Sequence, residues 1–357
     1  MTQSEFSALV ERANSELPAS AQAQIVGAKD GETPRFEVYH ASFSVCSHKV
    51  RTVLLEKGIP FISHMMSLRV DDKVCSDSYL PNYVKMRLRG AEGAALVSGY
   101  TGQSSMESEG FDPAVVPTLI DHAAQRVIVD SANICAYLDR EASTVTKLIP
   151  DAIADAVNAQ ISLIDEAPHV AVLYGANPKG DTRPEVIANR IEGVHKRKIK
   201  HLERLKASVS DDPELVAAYD AKIVKEATAG EFVYNPETMI DAHERMAAHV
   251  AALESQLVSH DGQWALGTDY TMADIMWTIS LFRLKWLGLS HLWEADNKGP
   301  NVSEYVKQAF ARPAFREAVI DWPMATPPSK HIKETSGIFK NLQFVWQALN
   351  TGTSKST

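Results

Sequence analysis

The chain has 357 residues, of which 45% are hydrophobic and 23% charged, and its formal net charge is −9. This length suffices for two domains with a sizeable core, and the composition is typical of a globular protein. The acidic balance argues against nucleic acid as the main partner, and no apolar run is long enough to cross a membrane. Three cysteines, Cys46, Cys75 and Cys135, are too few for a disulfide framework, which favours a reducing, cytoplasmic setting.

The first 35 residues lack the basic and apolar regions of a secretory signal, so we expect an N-terminal extension. Phe6, Leu9 and Val10 predict a short helix there, and residues 27–34 predict a linker. The twelve histidines form no HxH or HExxH pattern. We therefore expect no metal.

A strand, a helix and a second strand follow one another from Phe36 onward. Residues 36–39 alternate apolar and polar side chains, and residues 44–57 show helical periodicity that ends before Gly58. Residues 60–68 predict another strand. This compact order indicates a βαβ unit with a parallel strand pair.

Residues 70–112 show no regular pattern, which indicates an insert. Residues 115–120 predict a strand that contains Pro117, and residues 126–129 predict its hairpin partner. Ser131 is the expected cap of the following helix.

Helical periodicity dominates the second half of the chain. The predicted helices cover 152–165, 184–205, 214–228 and a stripe of apolar residues from Met239 to Leu257. Thr271 and Asp274 form a capping-box start for a nearly all-apolar, hence buried, helix. The basic run from His195 to Lys206 predicts the solvated face of a long helix. Residues 352–357 predict a disordered polar tail.

Ser44 and Cys46 lie at the junction of the first predicted strand and helix. A helix N-terminus offers free N–H groups and the positive end of the dipole, and both stabilise a thiolate. Ser44 can donate a hydrogen bond to a bound thiolate and lower its pKa. On this segment alone, a helix cap and a small buried cysteine are an equally good interpretation.

Two further junctions carry candidate binding residues. A proline inside a strand removes a ladder donor, and a cis bond between Val116 and Pro117 would turn the preceding backbone toward an extended ligand. An edge-strand proline is the alternative. Asp130 and Ser131 supply a carboxylate and a helix N-terminus, which suit the ammonium and carboxylate of an amino-acid-like ligand. Helix capping alone also explains Ser131.

In combination, these segments resemble the ordered landmarks of glutathione S-transferases. The landmarks are Ser44-Val-Cys46-Ser47, Val116-Pro117-Thr118-Leu119, Asp130-Ser131 and Thr271-Met-Ala-Asp274-Ile275. The resemblance implies an α/β thioredoxin-like domain followed by an all-α helical bundle. The implied divisions are an extension at 1–35, the thioredoxin-like domain at 36–145 with its insert at 70–112, the helical domain at 146–335 with an insert at 176–235, and a tail at 336–357.

The resemblance also implies roles for individual residues. Glutathione would be the co-substrate, with its thiolate at Ser44 and its cysteinyl backbone paired with Val116 before a cis Pro117. Asp130 and Ser131 would hold its γ-glutamyl end. The family commonly dimerises, so a homodimer is compatible with this assignment.

The segment from Ser44 to Arg51 resembles the zeta-related branch of the family, which includes maleylacetoacetate isomerases and reductive dehalogenases of chlorinated hydroquinones. The dehalogenase members imply a small aromatic substrate, with Cys46 attacking the sulfur of a glutathionyl adduct. His169 and Tyr174 are candidates for the substrate wall, because an imidazole and a phenol can handle phenolic protons. Packing or a surface position also explains these two residues.

Two alternatives to reductive dehalogenation stay open. A glutathione-dependent cis–trans isomerase would need Ser44 but could dispense with Cys46, and its anionic substrates would require arginines at the pocket. A non-catalytic glutathione-binding protein that keeps the fold is the second alternative.

Overall fold

The computed structural model describes residues 2–103, 105–142, 146–191 and 193–337, with the side chains of all but 186, 189, 190 and 297 in these ranges. Five strands form one sheet in the order β1-β3-β2-β4-β5. They are β1 (Gln24–Val26), β2 (Phe36–His40), β3 (Phe61–Met65), β4 (Thr118–Asp121) and β5 (Arg126–Val129). Strands β2 and β3 are parallel, and all other neighbours are antiparallel. The predicted βαβ unit and hairpin are confirmed.

Five helices accompany this sheet. They are α1 (Gln3–Glu16), α2 (Val45–Glu56), α3 (Pro81–Arg89), α4 (Met106–Glu109) and α5 (Ser131–Glu141). The predicted N-terminal helix is confirmed as α1. Its residues Phe6 and Leu9 are buried in one apolar cluster with Tyr39 of β2 and Tyr83 of α3. The extension also supplies β1, an edge strand that the sequence did not indicate.

The rest of the described chain is helical. The helices are α6 (Ala154–Asp165), α7 (His169–Tyr174), α8 (Glu185–Ile191), α9 (Val194–Ser208), α10 (Pro213–Tyr234), α11 (Pro236–Val258), α12 (Met272–Trp286), α13 (His291–Glu294), α14 (Pro300–Ala311) and α15 (Pro313–Phe315). The fold is therefore a small mixed sheet with helices, followed by a helical part, as predicted. Within the ranges given above, no helix has the length and apolar character required to span a membrane.

Helix α12 positions the two parts of the molecule against each other. It is almost entirely buried and packs on both α2 and α6. Its predicted capping box is confirmed, because the Asp274 carboxylate accepts hydrogen bonds from the Thr271 backbone N–H at 2.8 Å and from the Thr271 hydroxyl at 3.0 Å. A buried helix that contacts α2 can deliver side chains to the segment around Ser44.

Several predicted boundaries were wrong for local reasons. Strand β4 begins at Thr118, so Pro117 precedes it and no ladder donor is lost. The helix expected at 184–205 is two helices, because Gly193 adopts a positive φ of 67° between α8 and α9. The predicted tail at 352–357 and all of 338–357 lie outside the described residues.

The basic run on α9 was predicted to form a solvated face, and this prediction was only partly right because part of the run is buried. His195 and His201 are 3% and 4% exposed. We call the buried charges around His195 the insert ion cluster: Glu109, Asp112, His195, Lys198, Lys222, Lys225 and Glu226. This cluster connects the insert at 70–112 to helices α9 and α10.

Candidate active site

Three neighbouring strands, β2, β4 and β5, begin or end at the same end of the sheet. Tyr39, near the end of β2, pairs with Thr118 at the start of β4, and Thr118 pairs with Val129 at the end of β5. The segments that follow β2, precede β4 and follow β5 therefore lie side by side. These are the same three segments that the sequence singles out.

Ser44 is the N-cap of α2. Its Oγ accepts a hydrogen bond from the Ser47 backbone N–H at 3.3 Å. Across the part of the chain that the structure describes, this hydroxyl has no other hydrogen bond. Its own hydrogen is therefore available to donate, which suits a thiolate placed at the end of α2.

Cys46 is the second residue of α2, and its thiol is free and half-buried. Burial raises the pKa of the Cys46 thiol above its ordinary value, while the charge of Lys49 and a hydrogen bond with Ser131 oppose this rise. The expected stabilisation of a Cys46 thiolate by the helix N-terminus is thus outweighed by burial. The protonated thiol is the resting form at neutral pH.

A buried ion pair lies one helical turn from Cys46. The Lys49 side chain is 3% exposed, and its Nζ is 2.5 Å from Asp165 Oδ1 of α6. Burial by itself would lower the pKa of this lysine, but the charge of Asp165 outweighs that effect and raises it. Lys49 therefore remains a cation that favours ionisation of the thiol. Its i+3 spacing from Cys46 was a readable signal for this role, whereas nothing local indicated Asp165.

The peptide bond between Val116 and Pro117 is cis, so that interpretation of the sequence is confirmed. Both flanking carbonyls are anchored: Tyr83 donates its hydroxyl to the Val115 oxygen at 2.8 Å, and Arg87 Nη1 donates to the Pro117 oxygen at 2.7 Å. The pairing of Val116 with a ligand remains a prediction.

Asp130, rather than Ser131, is the N-cap of α5. Its backbone adopts a φ of 70°, which residues other than glycine rarely do. Its Oδ1 accepts from the backbone N–H groups of Ala132 and Asn133 at 3.0 and 3.1 Å. Its other carboxylate oxygen has no hydrogen bond within the described ranges, so it is available to a cationic group. The assignment of Ser131 as the cap was wrong because the preceding aspartate reaches the free N–H groups first.

His169 is buried at the start of α7, so a surface position for it is excluded. It is 9% exposed, and its Nε2 is 2.7 Å from Ser280 Oγ of α12. Burial, together with the positive charges of Lys49 and Arg283, lowers the pKa of His169 to about 3. The imidazole is therefore neutral at physiological pH and lies near both cations.

Tyr174 ends α7 and contacts the other insert. Its ring centroid is 4.7 Å from Lys198 Nζ and 5.4 Å from the ring of His195. The structure thus places His169 toward α12 and Tyr174 toward α9, so the two side chains do not form a pair.

Arg283 is a residue of this region that sequence reasoning missed. It lies on α12 and donates a hydrogen bond through Nη2 to the Phe43 oxygen at 2.6 Å, just before Ser44. The contact spans 240 residues of sequence, so no local pattern could indicate it. Among the residues that the structure describes, no group of three or more His, Cys, Asp or Glu side chains is placed to hold a metal ion.

The sheet is thioredoxin-like, with serine and cysteine at the helix that follows β2 and a cis-proline before β4. This arrangement defines a class of thiol-using proteins, and comparison with known families supports that class. Residues 43–141 match the glutathione S-transferase N-terminal domain. Together with the relatives below, this match shows that the chain belongs to the glutathione S-transferase family.

Two relatives are similar to this chain over most of its length. The chain is 44% identical over 302 residues to a 2,5-dichlorohydroquinone reductive dechlorinase from Sphingobium indicum, which covers 84% of this chain and 86% of that protein. It is 26% identical over 293 residues to a tetrachloro-p-hydroquinone reductive dehalogenase from Sphingobium chlorophenolicum, covering 80% of this chain and 96% of that protein.

Solved structures share the fold. The β-etherase LigF from Sphingobium sp. strain SYK-6 superposes with a TM-score of 0.52 at 18% identity, covering 80% of this chain and 98% of that one. At this level of identity, the similarity concerns the architecture alone.

Proposed function

We propose that this protein catalyses glutathione-dependent reductive dehalogenation of a halogenated hydroquinone. The observation that carries the proposal is the position of the Cys46 thiol on the same helix N-terminus as the Ser44 hydroxyl. One residue can thereby stabilise an attacking thiolate while the other supplies a second sulfur nucleophile. The 44% identity to a 2,5-dichlorohydroquinone reductive dechlorinase supports this assignment.

The chain's own residues fit glutathione. The Ser44 hydroxyl hydrogen is available to a thiolate, and the free carboxylate oxygen of Asp130 is available to the γ-glutamyl ammonium. Ser131 begins α5, whose N-terminal N–H groups favour a carboxylate. Val116, ahead of the cis bond, is the residue we assign to the cysteinyl backbone.

The reaction proceeds in two stages. Ser44 stabilises the thiolate of a first glutathione, which attacks the tautomerised ring, forms a carbon–sulfur bond and displaces halide. Cys46 then attacks the sulfur of that adduct. The carbon–sulfur bond breaks, the ring carbon takes up a proton, and a mixed disulfide forms on Cys46.

A second glutathione attacks the mixed disulfide, releasing oxidised glutathione and regenerating the Cys46 thiol. Overall, two thiols are oxidised to one disulfide, one carbon–halogen bond becomes a carbon–hydrogen bond, and one equivalent of hydrogen halide leaves as halide and a proton. Lys49 assists by favouring the thiolate of Cys46 over its resting thiol.

The proposal assigns a separate role to each of the two predicted domains. Residues 36–145 would bind glutathione, and residues 146–335 would contribute the wall of the aromatic site, including His169 and Tyr174. A cytoplasmic setting follows, because there the glutathione pool keeps Cys46 reduced. A homodimer, as in the family generally, is part of the proposal.

The test incubates the purified protein with glutathione and 2,5-dichlorohydroquinone and follows chloride release and products by mass spectrometry. We expect two glutathiones to be consumed per chloride. The variant Cys46→Ser should release chloride but accumulate a glutathionyl hydroquinone. The matched control Cys75→Ser removes the other half-buried thiol and should behave as the native protein does.

Three results would count against the proposal. Free hydroquinone and oxidised glutathione from Cys46→Ser would exclude thiol exchange at this residue. An unchanged first step in Ser44→Ala would remove Ser44 from thiolate activation. Isomerisation of a maleyl diacid without chloride release from the hydroquinone would favour the isomerase.

A further inference from the structure

Arg283 is a buried cation at the candidate active site. Its residue exposure is 3%, and its guanidinium carbon stands 4.0 Å from the centroid of the Phe43 ring. The Phe43 ring in turn packs against Trp286, with ring centroids 4.6 Å apart. The hydrogen bond to the Phe43 oxygen fixes the guanidinium beside the segment that carries Ser44.

This guanidinium has no anionic partner within the described ranges. Its hydrogen bond to the Phe43 oxygen uses one of five N–H donors, and no carboxylate of a described residue forms an ion pair with it. An unpaired buried charge is costly, and proteins normally compensate it. The insert ion cluster follows that rule, because its three lysines face three carboxylates.

The surroundings of Arg283 show where its charge acts. Burial lowers the pKa of Arg283 to about 10, and the negative forms of Tyr174 and Cys46 partly offset this change. The guanidinium therefore stays cationic at neutral pH, and its hydrogen bond to the Phe43 oxygen holds it beside Ser44. A buried cation at this position is suited to an anion that enters the site.

We infer that Arg283 binds the ionised hydroxyl oxygen of the aromatic substrate, so that the site selects a phenolate; this inference rests on the proposed function. Ring halogens lower the pKa of a phenol below the value of about 10 that an unsubstituted phenol such as tyrosine has. Halogenated hydroquinones therefore offer an anionic oxygen near neutral pH. One guanidinium matches one such oxygen, with N–H donors to spare.

A cation at this position also addresses an electrostatic difficulty of the reaction. The thiolate of glutathione and a phenolate must approach within the same site, where a low dielectric strengthens their repulsion. Arg283 neutralises one of the two charges while the ring is held. This makes Arg283 a substrate-binding residue whose loss should weaken recognition of the anion more than binding of glutathione.

The experiment measures equilibrium binding of 2,4,6-trichlorophenol at pH 8, where this phenol is ionised and has no second hydroxyl group to support turnover. Tryptophan fluorescence reports binding to the native protein and to Arg283→Met, Arg283→Lys and Lys285→Met. Lys285 is the matched control, because it is a cation of the same helix paired with Glu294. Thermal unfolding establishes that each variant is folded.

We expect Arg283→Met to weaken trichlorophenolate binding at least tenfold and Arg283→Lys to weaken it less. Lys285→Met should stay within twofold of the native protein, and glutathione affinity should stay within twofold in all variants. With 2,5-dichlorohydroquinone as substrate, Arg283→Met should raise KM and lose the fall in KM that accompanies ionisation of the phenol in the native protein.

The outcomes separate this inference from the proposed function. Native dechlorination with trichlorophenolate binding unchanged in Arg283→Met overturns the inference and leaves the function intact. Absence of dechlorination by the native protein, with Arg283-dependent trichlorophenolate binding, overturns the function and leaves the phenolate site intact. Tighter Arg283-dependent binding of maleate than of trichlorophenolate overturns the phenolate assignment in favour of a carboxylate substrate.

Discussion

Two regions of this protein bury charge in opposite ways. In the insert ion cluster, Lys222 is 2.7 Å from Asp112 and 3.0 Å from Glu226, and each buried lysine has a carboxylate neighbour. At the candidate active site, Lys49 is paired with Asp165, but Arg283 has no carboxylate partner among the described residues. Matched charges hold the two inserts together, whereas an unmatched cation is available to a ligand.

The pKa values of single groups differ between the two regions in the same way. Burial by itself would raise the pKa of Glu226, but Lys198, Lys222 and His195 outweigh it and hold the pKa well below its ordinary value. At Arg283, burial prevails and lowers the pKa. Stability and recognition should therefore respond differently to mutations in the two regions.

The largest expected effect is on stability in the insert ion cluster. Glu226→Gln leaves Lys198 and Lys222 buried with one carboxylate fewer, and breaking a buried pair in this way costs about 3–5 kcal/mol. Urea unfolding should show a matching loss in the free energy of unfolding. Glu231→Gln, on the exposed face of the same helix, is the control and should leave the unfolding midpoint unchanged. Equal effects of the two variants would mean that the cluster is not a stabilising unit.

A double-mutant cycle between Asp112 and Lys222 sharpens the comparison. Each single change, Asp112→Asn or Lys222→Met, takes one opposite charge away from the remaining member of the pair, so the double variant should be less destabilised than the sum of the two. We expect a coupling free energy of about 1–3 kcal/mol from urea unfolding at pH 7. Additive effects would indicate that the two inserts are held by other contacts.

The cycle also has a defined pH dependence. Lys222 and Lys225 lower the pKa of Asp112 to about 2 against the opposing effect of burial. The stabilisation from this carboxylate is therefore present above its ordinary pKa of about 3.9 and is lost as the pH falls toward about 2. The coupling free energy should decrease over that window and not above it.

A smaller effect on stability is expected at the candidate active site. Arg283→Met loses one hydrogen bond and a stacking contact with Phe43, but it also removes an unpaired buried charge. These terms oppose each other, so the free energy of unfolding should change by about 1 kcal/mol or less. A loss as large as that of Glu226→Gln in the same urea assay would show that Arg283 is structural.

The smallest predicted effect concerns the thiol of Cys46. Lys49 lowers the pKa of this thiol, so Lys49→Met should raise it and move the midpoint of iodoacetamide alkylation to higher pH. Alkylation of Cys46 is followed by mass spectrometry of its peptide. Lys57→Met removes another buried lysine, one that is paired with Asp139, and should leave the midpoint in place. An equal shift in both variants would point to general loosening of the fold.

Much of the candidate site was predictable because its signals are local. The junctions at Ser44, the cis Pro117 and Asp130 each depend on a few neighbouring residues, and caps and turns have readable residue preferences. Even there, one detail was wrong: Asp130 is the cap of α5, since its carboxylate accepts from the N–H groups two and three residues ahead and Ser131 is already the first helical residue.

By itself, the sequence determined the βαβ unit, the hairpin, the buried helix α12 and the position of the Ser44 hydroxyl and the Cys46 thiol at the start of one helix. Only the tertiary structure decided which charges meet. Lys49 and Asp165 are 116 residues apart, and Arg283 lies 240 residues from Phe43. Periodicity and capping describe interactions within a turn or two of the chain, whereas burial and pairing of a charge depend on every element packed around it. The raised pKa of Cys46 and the unpaired guanidinium of Arg283 are properties of that packing.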